Sequence, residues 1–217
     1  MKDESTALKI LIPKLSKNLN EIDFSDKIFQ DDDFSKLNLV NNCIIENQKA
    51  DHLNFVQVIF NNVIFRDVSF SHIDLMDARF ENCSLSNVDF SGAIIHRAEI
   101  IDCNLTGINL NNSTFRNVVF RNCSGRYSSF RFSDFEQAAF KKCILNNSDF
   151  QESKLVRINF EDCELKQVQM SGTPLKGIDF SNSDIDGIGV RIEDVFGAVV
   201  SPAQAVYLSK KMGLVVK

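Results

Sequence analysis

Cysteine is the residue type best placed to do chemistry in this chain, and its spacing is regular: Cys83, Cys103, Cys123, Cys143 and Cys163 stand twenty residues apart, with Cys43 two such steps earlier. Thiols in such a row could hold a metal, form a ladder of disulfides, or line a wall. The three histidines, His52, His72 and His96, read as lying at unrelated points of the repeat that this spacing implies. No HExxH pair, glycine-rich phosphate loop or nucleophile elbow accompanies them. The expectation is a protein that is not an enzyme, with no catalytic residue, no cofactor and no metal.

The elements that carry the thiols follow from a second, shorter period. Every fifth residue from Phe55 to Ile185 is apolar in 26 of 27 positions, Gly125 being the exception. A helix needs spacings of three and four and a plain strand needs two, so neither accounts for a strict five. A small side chain stands two residues before most of these positions, for instance Val58, Ala78, Cys83, Val88, Cys103 and Ser113. Residues two apart on a strand face the same way, so the pair points inward and the residue between them points out. The other two residues of each unit must turn the chain, or the next apolar residue would emerge on the wrong face. Four such units make twenty residues, which brings Cys83 over Cys103. The pattern therefore predicts a four-sided β-solenoid with coils about 4.8 Å apart. Thiols strung along its axis do not converge on one ion, and parallel side chains in stacked coils are poorly directed for a disulfide. They are read as buried, reduced packing residues.

The pattern breaks in a few places. An earlier block, Phe24, Phe29, Phe34 and Leu39, is out of phase, and the frame slips by one near Asn41 and Asn42. The stretch ENQKADH, residues 46–52, lacks a good inward pair and reads as a loop or a poorly filled coil. Gly125 and the outward Phe132 suggest a local bulge. At the carboxyl end, Ser201-Pro202 followed by AQAVYLSKKMG reads as an N-cap, a proline at the first helical position, a short helix and a glycine stop. The three parts are residues 1–21 as an amino-terminal segment or cap, 22–195 as the solenoid, and 196–217 as a helix and tag.

The units NVDFS, SSFRF and NSDFQ resemble the repeat of pentapeptide repeat proteins. That resemblance implies an all-β, right-handed quadrilateral β-helix, here with a short carboxyl-terminal helix. The carboxyl end resembles those of Qnr-type quinolone-resistance members, in which a helix and final strand build a dimer. It implies a homodimer through Val206, Tyr207, Leu208, Met212, Leu214 and Val215, against the alternative of a helix that only caps a monomer.

Charge is uneven along the chain. Residues 21–102 carry 15 acidic and 6 basic residues, 103–145 carry 2 and 6, and 146–195 carry 10 and 5. Most of the rod would repel nucleic acid directly. The Qnr-type resemblance implies instead a DNA mimic that binds a type II topoisomerase, DNA gyrase or topoisomerase IV, and protects it from quinolones. Glu161, Asp162, Glu164, Asp179, Asp184 and Asp186 would then face the enzyme's DNA-binding groove. The basic band Arg116, Arg121, Arg126, Arg131, Lys141 and Lys142 departs from that picture and favours a general protein-interaction solenoid with another partner. No segment approaches a membrane span, and the reading is a cytoplasmic protein.

Overall fold

The turn that each five-residue unit requires is made by one residue in the left-handed backbone region. It recurs two positions after the inward apolar residue: Asn62 (φ 55°), Asn82 (54°), Asn87 (57°), Gly92 (72°), Asn122 (54°), Gly172 (82°) and others at the same place in the unit. Most L-residues avoid this region because Cβ crowds the following carbonyl, whereas Gly has no Cβ and Asn is tolerated there. The many Asn and Asp of the sequence therefore mark the corners of the coil. The computed structural model describes residues 8–217.

Between corners the chain is extended, and each of the eight-residue strands continues through one corner. The strands are β1 (Asn20–Glu21), β2 (Phe34–Asn41), β3 (Ile44–Asp51), β4 (Asn54–Asn61), β5 (Ile64–Ser71), β6 (Asp74–Glu81), β7 (Ile94–Ile101), β8 (Thr114–Arg121), β9 (Asp134–Lys141) and β10 (Lys154–Glu161). All pair in parallel, in the order β1-β2-β4-β6-β7-β8-β9-β10, with β3-β5 as a second sheet. From β2 onward partners are one coil of twenty residues apart, as in Phe115↔Phe135 and Phe120↔Phe140. Isolated bridges continue two further rows, Ser84↔Asn104↔Ser124↔Ile144↔Glu164↔Asp184 and Ser69↔Asp89↔Asn109↔Ser129↔Asp149↔Gln169. The result is a right-handed quadrilateral β-helix of about seven turns, as the spacing and the resemblance predicted.

The interior is a set of stacked columns. Phe120 lies on Phe140 at 4.5 Å, Phe140 on Phe160 at 5.3 Å, and Phe115 on Phe135 at 4.2 Å, all nearly parallel. All six thiols are free and buried. Their role is more specific than packing. Cys83, Cys123 and Cys163 donate to the carbonyls of Phe60, Ile100 and Phe140, each 23 residues back. Ser113, Ser133, Ser153 and Thr173 do the same at another corner, to Phe90, Leu110, Phe130 and Phe150. Small side chains with a donor recur there because they reach a carbonyl beside the turn that has a lone pair free, even where, as at Phe90 and Phe150, it also accepts a turn N–H. The Cys83, Cys123 and Cys163 thiols are held protonated, raised by the neighbouring thiol of the ladder and by burial.

The ends depart from the sequence reading. Asn20 pairs with Asn38, so the first coil has eighteen residues rather than twenty. The frame shifts between the buried Phe29 and Val40, not at Asn41 and Asn42, and it leaves Phe34 64% exposed. ENQKADH is no loop: residues 44–51 form β3, with Ala50 buried and the Gln48 side-chain oxygen accepting from the Phe29 N–H. Residues 9–14 run along the rod over one corner row. Gln137 Nε2 donates to the Lys9 carbonyl, Leu11 N–H to Asn117 Oδ1, and Lys14 N–H to Asp77 Oδ1. This segment is a strap along the side rather than a cap on the first coil. The other end is closed by α1 (Pro202–Lys211), N-capped by Ser201 with Gln204 completing the capping box. Gln204 Nε2 donates to the carbonyls of Phe180 and Ser183, which satisfies part of the last coil's open edge.

Candidate protein-binding surface

Outward side chains come from the middle of each short strand and from the corners, so residues twenty apart form rows along the rod. Glu164 and Asp184 bridge directly and stand on one flat face in consecutive coils. Asp186 sits at one corner of that face, Glu161 and Asp162 at the other. Asp179 lies round that second corner, bridged to Val199 on the adjacent face. Five of the six acidic residues singled out in the sequence thus converge on one face and its two edges, and the sixth does not.

The patch is not uniformly negative. Lys166 Nζ lies 3.1 Å from Asp184 Oδ2 and Lys141 Nζ 2.8 Å from Glu161 Oε2. Asn146 Nδ2 donates to Glu164 Oε2 at 2.9 Å, and the Ser181 N–H donates to Asp179 Oδ1 at 2.8 Å. The Asp184 carboxyl is held below the usual range by the Asp186 N–H and by Lys166, so it stays ionised at neutral pH. Exposed pairs of this kind contribute little stability.

The basic band becomes a ring. Arg116, Arg121, Arg126 and Arg131 are five residues apart and occupy the four successive corners of one circuit of the rod. Arg116 is paired with Asp134 and Glu136, and Arg131 lies 3.7 Å from Asp149. Among the described residues, Arg121 and Arg126 take part in no ion pair. The bulge expected near Gly125 and Phe132 is absent. Gly125 N–H keeps the regular bond to the Ile144 carbonyl, and a Cβ on it would stand 2.9 Å from Leu145 Cδ2, so the neighbouring coil fills its place. Phe132 and Tyr127 occupy regular corners at φ 58° and 60°, where aromatic residues are uncommon, and both rings face solvent. Arg131 lies over the Phe132 ring at 5.3 Å.

The terminal hydrophobic residues divide in two. Tyr207 and Leu208 pack against the chain's own core, and the Tyr207 hydroxyl accepts the Gly187 N–H at 2.6 Å. Val206, Leu214 and Val215 are exposed, with Met212 partly covered. The sequence reading also missed a relationship it had the means to see: His52 and His72 are one coil apart and share a corner row. Their rings stack at 4.8 Å.

The family model described as a pentapeptide repeat region matches residues 73–150 and 130–194. The chain belongs to the pentapeptide repeat family. A second family model, the SV2A/B/C luminal domain, matches residues 33–110 of this pentapeptide repeat protein. No curated protein matches its sequence. Among solved structures, a trypsin-treated form of QnrB1, a plasmid-mediated fluoroquinolone resistance protein, is 18% identical, with 87% of this chain and 99% of that one covered at a TM-score of 0.45. Full-length QnrB1 is 15% identical, with 83% and 99% covered at 0.28. A pentapeptide repeat protein of the Arabidopsis thaliana thylakoid lumen is 22% identical, with 58% and 74% covered at 0.31. No helix among the described residues is long and apolar enough to cross a membrane.

Proposed function

We propose that this pentapeptide repeat protein is a protein-binding rod, not an enzyme, whose acidic carboxyl-terminal face enters the DNA-binding groove of a type II topoisomerase and protects it from quinolones. The observation that carries the reading is the pair Glu164 and Asp184, aligned in consecutive coils and flanked by Glu161, Asp162 and Asp186. Carboxylates repeated along a narrow rod offer a basic groove what a phosphate backbone offers it. The topoisomerase enters through the resemblance of the repeats and carboxyl end to Qnr-type proteins. In this reading two copies join through Val206, Met212, Leu214 and Val215 beyond the capping helix, so that the acidic faces of both flank the junction.

Supercoiling by gyrase, or decatenation by topoisomerase IV, with and without a fluoroquinolone, tests the proposal. The protein is expected to bind the enzyme, to be displaced by linear DNA, and to bind less tightly as salt rises. Glu164→Lys with Asp184→Lys should abolish protection while leaving the fold intact, because both side chains are exposed. Light scattering should find a dimer at micromolar concentration.

The arginine ring favours a second reading, a general interaction rod whose partner contacts the basic circuit. Arg121→Glu with Arg126→Glu separates the two. These changes leave topoisomerase binding intact under the first reading and remove partner binding under the second. A folded protein that neither binds a type II topoisomerase nor alters its quinolone sensitivity refutes the first reading.

A further inference from the structure

We propose that Asp51, His52 and His72 form a binding site for one divalent transition-metal ion of the zinc class, at a corner of the rod remote from the acidic face. Two imidazoles and a carboxylate are presented together, with their ligand atoms all within 4.8 Å of one another. His72 Nδ1 stands 2.8 Å from Asp51 Oδ1 and His52 Nδ1 3.2 Å from Asp51 Oδ2. Ligand atoms about 2.1 Å from a shared ion are separated by roughly 3 to 3.4 Å; the His52–Asp51 spacing falls in that range, and the His72–Asp51 contact, now a hydrogen bond, opens slightly as the ion replaces the shared proton.

The repeat fixes this arrangement. His52 and His72 occupy left-handed corners at φ 57° and 53° in consecutive coils, so both imidazoles emerge at one edge in the same direction. Their planes differ by 14°, so as stacked they share no in-plane point for an ion; His52, whose side chain is 60% exposed, has to turn about its Cβ–Cγ bond to bring its Nδ1 onto an ion held by His72 and Asp51. The next corner of the row is Gly92, and a Cβ there would stand 2.5 Å from His72 Cδ2. The His72 ring is therefore held between the His52 ring and the Gly92 backbone, and its Nδ1 edge is left towards Asp51. Ser71 Oγ donates to Asp51 Oδ1 at 3.1 Å, an outer hydrogen bond of the kind that orients a ligating carboxylate. The Asp51 carboxyl is held below its usual range, chiefly by its hydrogen bond with His72, with Ser71 and His52 helping to offset the opposing effect of burial.

Charge adds to the case. Asp31 and Asp32 hold the same two corner positions one coil below Asp51 and His52, and Asp31 Oδ1 accepts the Asp51 N–H at 2.8 Å. Three carboxylates thus surround an edge that would otherwise gather two imidazoles with no counter-charge. The ligand types select the metal. Imidazole with carboxylate suits zinc, nickel or copper, whereas calcium and magnesium demand oxygen ligands alone. The site is open to water on its outer side, which leaves coordination positions for solvent or for a donor from another molecule.

Calorimetric titration of the reduced, full-length protein with Zn²⁺, and optical titration with Co²⁺, test the proposal. The expected results are saturable binding of one ion per chain, visible cobalt bands without the near-ultraviolet absorption of a cobalt–thiolate bond, and no competition from Mg²⁺ or Ca²⁺. His52→Asn and His72→Asn are the informative variants, because Asn is the residue the corner prefers and the fold is retained, as circular dichroism would check. Each should weaken Zn²⁺ binding by about tenfold or more, and the double variant should abolish it. Absence of saturable binding, binding unchanged in the double variant, or a thiolate signature from the buried cysteines would overturn the proposal.

Discussion

Phe140 sits where the interior columns are most continuous, and truncating it to Ala measures how far stacking holds the rod together. Its side chain is fully buried. The ring is sandwiched in parallel between Phe120 at 4.5 Å and Phe160 at 5.3 Å, and it meets Phe130 and Phe150 edge-on at 5.9 and 5.8 Å. Loss of a buried Phe ring costs about 3 to 5 kcal/mol through transfer and the cavity left behind. Each aromatic pair adds roughly 0.5 to 1.5 kcal/mol beyond buried area, so two parallel partners place Phe140→Ala near the top of the range. Phe120→Ala supplies the internal control. Phe120 stacks on Phe140 above, but its register partner in the coil below is Ile100, so one parallel partner is missing. The expected costs are about 5 kcal/mol for Phe140→Ala and nearer 3 to 4 for Phe120→Ala. Urea unfolding followed by circular dichroism gives both. In a solenoid, where each coil contacts only its neighbours, a weakened middle coil should also lower the apparent m value by splitting the transition. A cost below about 2 kcal/mol for Phe140→Ala, or a larger cost for Phe120→Ala, refutes the stacking argument.

Other perturbations reach different layers. Cys123 donates to the Ile100 carbonyl, so Cys123→Ser should cost less than Cys123→Ala, whose loss of the bond adds about 1 kcal/mol; equal denaturation midpoints would reduce the ladder to packing. Removing residues 1–17 takes away the N–H groups that bind Asp77 and Asn117; the loss expected is about 2 kcal/mol, with faster amide exchange along that corner row. Asp194 is 4% exposed: burial raises its carboxyl pKa, but Arg191 and the Gly172 N–H more than offset this and leave it lowered. Its contribution is therefore present above the ordinary carboxylate range and lost as pH falls through the depressed value. Asp194→Asn should flatten that part of the stability curve below about pH 4, and an unchanged curve would refute the assignment.

The interior was legible because burial obeys the period: one row per five residues and one coil per twenty, with Leu155 alone of the 27 central positions only partly buried. Phe34 misled because hydrophobicity cannot say which of two adjacent residues the shortened first coil turns inward. Gln48 misled in the opposite sense, since a polar residue in the wall looked like a gap, whereas its amide oxygen takes a backbone donor from Phe29. The strap was hidden because its partners, Asp77, Asn117 and Gln137, are corner residues whose polarity already had a local explanation. His52 and His72 were within reach, since their numbers differ by the period that had aligned the cysteines. Applying that period to the outward residues as well would have paired them.

The separation of inside from outside also decides how the surface charges act. Arg126 and Glu164 belong to coils about two steps apart, roughly 10 Å along the axis, and Asp184 lies a step further. The screening length at physiological salt is about 8 Å. The arginine ring therefore weakens the potential at the acidic face only modestly, despite its four charges. The charges that blunt that face are the near ones, Lys166 against Asp184 and Lys141 against Glu161. Two surfaces of opposite sign can thus coexist on one thin rod, because each coil contributes a few outward residues and the next coil is already more than half a screening length away.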